Sequence, residues 1–290
     1  MTSYHSAPPF AFRLPALIGL IGCLVALPAT ATLFSFSTGI PDGLMATASR
    51  PAAVGKIEIE SADDFIIATP TTINSATFTG LLTGTSPTVG EVRVEIYRVF
   101  PNDSTNPPSG KVPTRTNSPS DIAFEEFDTV AGTLSFTTTG LGSFTAANSV
   151  LNGINKSPNQ TTGGEGAVTG LEELFSITFA TPFILLADHY FFIPQVQVTG
   201  GEFYWLSAPK PIVSPGTPFT PDLQSWIRNA NLDPDWLRVG TDIVGSPSTG
   251  GPARTFNAAF SLAGNSIPEP GTLALLALGI SGLAWSRRKQ

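Results

Sequence analysis

Cysteine is nearly absent. The only one in 290 residues, Cys23, lies in the first stretch of the chain. No intramolecular disulfide can form, and no site built on several thiolates exists. Histidine is almost as scarce, with His5 and His189 the only two. Metal chemistry therefore reduces to carboxylates and carbonyls, a donor set that suits Ca²⁺. Charged residues make up 13% of the chain, against a usual share of about a quarter. Cations are the thinner half. Four of the 15 (Arg13, Arg287, Arg288, Lys289) and one of the 22 acids (Glu269) lie in the two ends, so the middle holds 11 against 21 and a net charge of −10. That excludes a nucleic-acid binder, whose affinity comes largely from Lys and Arg neutralising phosphates. It predicts a solvated acidic surface. No Gly-x-Ser-x-Gly elbow and no His-Glu-x-x-His motif occurs, which removes two common hydrolytic signatures.

What is plentiful is Gly (28), Pro (26) and Phe (20). Aromatic and β-branched residues between Gly/Pro breaks favour strands. "KIEIE" (Lys56 to Glu60) alternates strictly. In "EVRVEIYRVF", Val92, Val94 and Ile96 face one way and Arg93, Glu95 and Tyr97 the other. Further strands are predicted near Phe136 and Ile177, and over His189 to Thr199, Glu202 to Ser207 and Arg254 to Leu262. A period of two with one apolar face marks a sheet packed on another sheet. The predicted fold is all-β, a two-sheet, jelly-roll-like β-sandwich. One segment breaks the pattern. In "TPDLQSWIRNANLDPDW", Thr220 fits an N-cap, Pro221 and Asp222 fit a first turn, and Leu223, Trp226 and Ile227 share a face. It predicts one short helix. Spacers such as Asn102 to Gly110 and Asn155 to Gly166 read as loops, and the N-x-Ser/Thr sites at Asn102, Asn155 and Asn159 mark exposed ones.

The two ends differ from the middle. Arg13 precedes an apolar run, Leu14 to Leu27, which Pro28 breaks; Ala29-Thr30-Ala31 then fits a small-x-small cleavage site. This predicts a signal helix over residues 1–31, removed by signal peptidase after Ala31. Leu20 to Cys23 also resembles a lipobox that would acylate Cys23, although the following Leu24-Val25-Ala26-Leu27 is apolar where a lipoprotein's mature start is usually polar. At the other end, Thr272 to Trp285 is apolar or small apart from Thr272 and Ser281. As a helix it reaches about 21 Å, short of a hydrocarbon core of about 30 Å. Snorkelling of Arg287, Arg288 and Lys289 closes the gap and leaves that end cytoplasmic. Pro268-Glu269-Pro270 isolates the run as an extended linker.

Pro268-Glu269-Pro270, the short Leu/Ala/Gly run and the terminal Arg287-Arg288-Lys289 cluster together resemble the PEP-CTERM sorting signal. The resemblance covers roughly the last 24 residues. It implies a Gram-negative producer of extracellular polysaccharide, recognition by a membrane-embedded exosortase, loss of the tail near Pro268 and delivery to the cell surface or matrix. The anchor in the inner membrane is then transient. "SADDFII" (Ser61 to Ile67) and "FNAAFSLAG" (Phe256 to Gly264) resemble β-sandwich modules of PEP-CTERM proteins. The expected organisation is a signal peptide (1–31), a sandwich (32–265) and a sorting signal with a transmembrane helix (266–290).

The middle offers little chemistry. Asp188 and His189 are neighbours on a strand and so point to opposite faces. Asp63-Asp64, the Asn102/Asp103/Asn106 group and Asp233/Asp235 are oxygen donors without EF-hand spacing, and Asp63-Asp64 reads as a strand entry where one carboxylate caps turn amides. Glu125-Glu126 and Glu172-Glu173 are adjacent, whereas a glycosidase pair must flank its substrate about 5–9 Å apart. No catalytic residue, cofactor or metal is expected. Tyr204 and Trp205 are the candidate glycan contacts, one predicted buried and the other more exposed. The resulting expectation is a non-enzymatic, exported structural or adhesive protein associated with exopolysaccharide. The alternative is a carbohydrate-binding module on the sandwich face.

Overall fold

The computed structural model describes residues 31–267, apart from 107, 155–160 and 211–221. The predicted signal helix, the transmembrane helix, Ala29, Pro268, Glu269, Pro270 and the basic cluster lie outside the described residues. The strands are β1 (Leu33–Ser37), β2 (Ala46–Ala48), β3 (Ile59–Ile67), β4 (Thr71–Leu82), β5 (Thr88–Arg98), β6 (Glu125–Asp128), β7 (Leu134–Ala146), β8 (Ser149–Val150), β9 (Val168–Leu185), β10 (Asp188–Thr199), β11 (Phe203–Ala208), β12 (Trp226–Asn229), β13 (Leu237–Arg238), β14 (Asn257–Ala258) and β15 (Phe260–Ser266).

They form a β-sandwich. A nine-stranded sheet has β4 at its centre, with β9 and then β7 on one side and β15 and β11 sharing the other; β1 extends from β15, β2 and β8 extend from β11, and β14 also pairs with β11. The second sheet has six strands in the order β13-β12-β3-β10-β5-β6. The chain changes sheet at short corners, β3 to β4, β4 to β5, β9 to β10 and β10 to β11. The corners after β4 and β10 pass so closely that a Cβ on Gly84 would lie 2.1 Å from the Gly200 carbonyl oxygen. Only glycine fits there, and its φ of 104° suits no other residue.

The period of two dictates what lies between the sheets. Val92, Val94 and Ile96 of β5 face inward with Phe65, Ile67, Tyr190, Phe192 and Val196, against Phe78, Phe175, Phe203, Trp205 and Phe260. The rings interlock. Phe192 stacks on Phe260 at 5.0 Å between centroids, and Phe78 on Phe175 at 4.8 Å. Such pairs add about 0.5–1.5 kcal/mol each to simple area burial.

Two expectations fail here. Over the described residues from Asp222 onward the predicted helix is not formed; Thr220 and Pro221 lie outside the described residues. Asp222 to Ser225 has no regular structure, and Trp226–Asn229 is strand β12, antiparallel to β3 from Trp226↔Ala62 to Asn229↔Ile59. Helix signals are a weak local preference; a sheet place that buries Trp226 and Ile227 on opposite faces outweighs them. The helical turn that does occur is of π type, Val239–Val244, held by Asp242 accepting from the Arg238 backbone N–H at 2.8 Å. In addition, the strand predicted from Lys56 begins only at Ile59. Lys56 instead turns its ammonium to Glu202 at 2.9 Å.

Candidate functional site

The face of the six-stranded sheet turned away from the nine-stranded one has Glu60, Ala62 and Asp64 on β3 and Arg93, Glu95 and Tyr97 on β5. His189, Phe191, Ile193 and Gln195 come from β10, and Trp226 and Arg228 from β12. By composition this reads as a solvated face. It is covered instead by segments 99–123 and 230–236, which pack Val99, Ala123 and Trp236 against Tyr97, Phe191 and Trp226. Trp236 Nε1 donates to the Ser120 carbonyl at 3.3 Å, tying the two covers together. The expectation of a wholly solvated acidic surface is corrected: Glu60, Asp63, Asp64, Glu95, Asp121, Asp235 and Asp242 are buried.

Buried charges persist only when paired. Arg228 donates to both Glu60 oxygens, with Nη2 to Oε1 at 3.0 Å and Nε to Oε2. The Tyr97 hydroxyl accepts from Arg228 Nη2 at 2.8 Å and donates to Glu60 Oε1 at 3.1 Å. The guanidinium lies 4.3 Å over the Trp236 ring. Burial alone would lower its pKa; Glu60 more than reverses this and holds it above the ordinary arginine range. A second buried guanidinium, Arg115, pairs with Asp121 and donates to the Pro234 carbonyl at 2.7 Å. Burial, and then the Glu60 carboxylate, push Glu95 well above the usual carboxylate range, favouring its neutral form. These residues were missed because the alternation on β3 and β5 shows which side chains share a face, not that distant loops cover it.

Asp63 and Asp64 are in mid-strand rather than at a strand entry, and they part company as successive strand residues must. Asp63 accepts from the Ala258 backbone N–H at 2.8 Å and the Ser225 hydroxyl at 3.1 Å. Burial, and then Asp64, push its pKa well up. Asp64 Oδ2 lies 2.7 Å from His189 Nε2. Asp188 points elsewhere, toward Arg98 Nε at 3.6 Å. The structure therefore brings His189 together with Asp64, a partner remote in sequence, and not with its neighbour. Asp233 and Asp235 separate likewise, to Arg228 at 2.8 Å and to the Arg115 side at 3.6 Å. Glu125 and Glu126 sit on β6, and Glu172 and Glu173 on β9, none of them buried.

Beside this network opens a cleft of about 440 Å³ lined by Asn117, Lys210, Asp222, Gln224, Trp226 and Arg238, among others. Its polar groups are braced. Lys210 Nζ meets Asp222 Oδ2 at 3.0 Å and Asn257 Oδ1 at 3.0 Å, and Arg238 grips Asp242. Burial raises the pKa of Asp222. Trp226 is 1% exposed, and its indole N–H has no acceptor among the described residues. An unmade bond of this kind costs about 1–3 kcal/mol.

Tyr204 and Trp205 do not form an exposed platform. They are 7% and 1% exposed, because β11 is buried along its whole length between β4, β2 and β14. Trp205 enters the inter-sheet core and donates Nε1–H to the Ala259 carbonyl at 2.9 Å. Tyr204 turns to a second apolar cluster with Leu81 and Ile227, where burial pushes its pKa up to about 12. The prediction that one ring stays open is corrected.

Ala31 is exposed, and Thr32 is tied to Ser266, whose N–H donates to the Thr32 carbonyl at 2.8 Å. β1 runs antiparallel to β15 from Leu33↔Asn265. The first and last strands of the sandwich are thus neighbours, and the chain enters and leaves it at one place. Residues 266–289, beginning at the last residue of β15, match the family model of the PEP-CTERM protein-sorting motif. The chain carries a PEP-CTERM sorting domain. No curated protein and no solved structure matches it. The PEP-CTERM motif marks export, processing by exosortase at the membrane and sorting to the cell surface.

Proposed function

We propose that the sandwich is the exported cargo of this sorting domain, a non-enzymatic structural or adhesive component of a polysaccharide-containing surface layer. The observation that carries the reading is the sorting motif starting where β15 ends. The buried acids support a structural role. Most are held by a guanidinium, a backbone N–H or a histidine inside the fold rather than presented to a substrate. The proposed maturation is signal-peptidase cleavage after Ala31, transient anchoring in the inner membrane by the C-terminal run with Arg287, Arg288 and Lys289 inside, and a cut near Pro268. Intact mass and location of the protein in cells with and without exosortase test it. The expected product lacks both ends and is found outside the cell. Surface material that keeps residues 271–290, or unchanged delivery after their deletion, overturns the proposal.

A second reading, carbohydrate binding, is favoured by the cleft over Trp226 and not by Tyr204 or Trp205. Its braced carboxylate, ammonium and amides suit the hydroxyls of a neutral sugar, as a few placed polar groups do in such sites. Retention on polysaccharide that falls at least tenfold in Asp222→Ala, with unfolding midpoint preserved, supports it. Equal retention by that variant removes it.

A further inference from the structure

We propose that the exposed edge of β7 is a self-association site, where a second copy of this chain adds its own β7 antiparallel across a two-fold axis at Thr137. The inference rests on the fold and not on the proposed function. An edge strand offers a row of unpaired backbone N–H and C=O groups, and proteins usually blunt it by shortness, charge or proline. The other edges here are blunted. β1 has 5 residues, β8 and β13 have 2 each, and β6 has 4, among them Glu125, Glu126 and Asp128. β7 has 13 residues, "LSFTTTGLGSFTA", with no charge and no proline. Among the described residues it pairs only with β9. From Thr137 to Ser143 it is exposed throughout, and neither of its faces is covered among the described residues. The one protective device is a register shift between Gly140 and Gly142, where Gly142 has φ 108°. That leaves Leu134–Gly140 regular.

Charge and symmetry select the occupant. The middle of the chain carries a net −10, so copies repel one another over most of their surface; along β7 no like-charged pair arises. A two-fold at Thr137 sets Thr137 against its copy, Ser135 against Thr139 and Phe136 against Thr138. Cross-strand hydroxyl and aromatic–β-branched pairs of this kind are favourable. The arrangement is isologous and closes as a dimer. It also extends an existing row. Thr137 lies beside Ser176, then Thr77, then Ser261, with Thr77 Oγ1 and Ser261 Oγ hydrogen-bonded at 2.6 Å.

The test uses cysteine scarcity. In the full chain with Cys23→Ser, Thr137→Cys places two thiols on the axis, with Cα atoms about 4.5–5.5 Å apart, within the range a disulfide spans. Mild oxidation should give a linked dimer in most of the protein, whereas Ser143→Cys, off the axis and past the bulge, should give little. By sedimentation, Ser135→Lys/Thr139→Lys should weaken the dimer at least tenfold by setting like charges opposite, and Ser135→Lys/Thr139→Glu should restore it. A wild-type chain that is monomeric at every concentration, equal cross-linking of the two cysteine variants, or equal dimerisation of the two charge variants would overturn the proposal. Far-UV circular dichroism confirms that each variant is folded.

Discussion

At the scale of single residues, the fate of each buried charge is set by its immediate partners. Arg228 is the sharpest case. It satisfies both oxygens of Glu60 and the Tyr97 hydroxyl while lying on Trp236. Arg228→Ala leaves Glu60 buried without a counter-charge, and breaking a buried pair in this way costs about 3–5 kcal/mol. Urea denaturation should show that loss. The double change Arg228→Met/Glu60→Leu should recover part of it, since no charge is then left unpaired. Asp63 is a case of the opposite kind, with no cation of its own in contact. Its folded pKa lies well above the ordinary value of 3.8, with Asp64, Asp222 and Lys210 as its charged neighbours. Between that ordinary value and its raised one, the folded chain binds the proton and the unfolded chain does not. Its contribution is therefore complete at low pH and is lost as pH rises. Glu95 acts in the same direction. Asp63→Asn keeps an acceptor for Ala258 N–H and removes the titration. Unfolding midpoints compared at about pH 5 and pH 8 should fall less in this variant than in the parent chain. An equal fall would count against the buried neutral carboxyl.

Among the strands, much was legible. β5 and β10 follow alternation, and the inward row of Val92, Val94 and Ile96 is as the sequence predicts. β12 was misread as a helix because its capping signals are local, whereas its pairing with β3 joins segments far apart in the chain. Register is enforced where backbones crowd. A Cβ on Gly80, near the end of β4, would lie 2.2 Å from the Phe203 ring and 2.6 Å from the Tyr204 carbonyl. Gly80→Ala must push β11 away from β4. It should cost about 1–3 kcal/mol, the usual price of overpacking, measurable as a lower thermal midpoint. At Gly142 there is nothing within 4 Å, so Gly142→Ala meets only its positive φ. Its loss should come from local backbone strain and leave the aromatic core unchanged in near-UV circular dichroism.

For the whole molecule, stability comes from the sandwich core without covalent help. With Cys23 the only cysteine, reductant should leave the unfolding midpoint of the monomer unchanged; a shift would reveal thiol chemistry between copies. The neighbouring positions of β1 and β15 also matter at this scale. They bring the start of the sandwich beside Ser266, the residue at which the sorting motif begins.

The tail needed no tertiary information. Its motif, apolar run and cations are contiguous, and a contiguous signal is read from the chain as it stands. The two-sheet core was nearly as direct, because a period of two assigns side chains to faces wherever a strand lies. What alternation leaves open is whether a face is covered, and by what. Segments 99–123 and 230–236 turned an apparently solvated face into a buried ion network, and the flanks of β11 enclosed Tyr204 and Trp205. Nothing covers β7 among the described residues. Those outcomes depend on contacts between segments distant in the chain, such as Arg228 with Glu60, and only the folded chain brings such residues together.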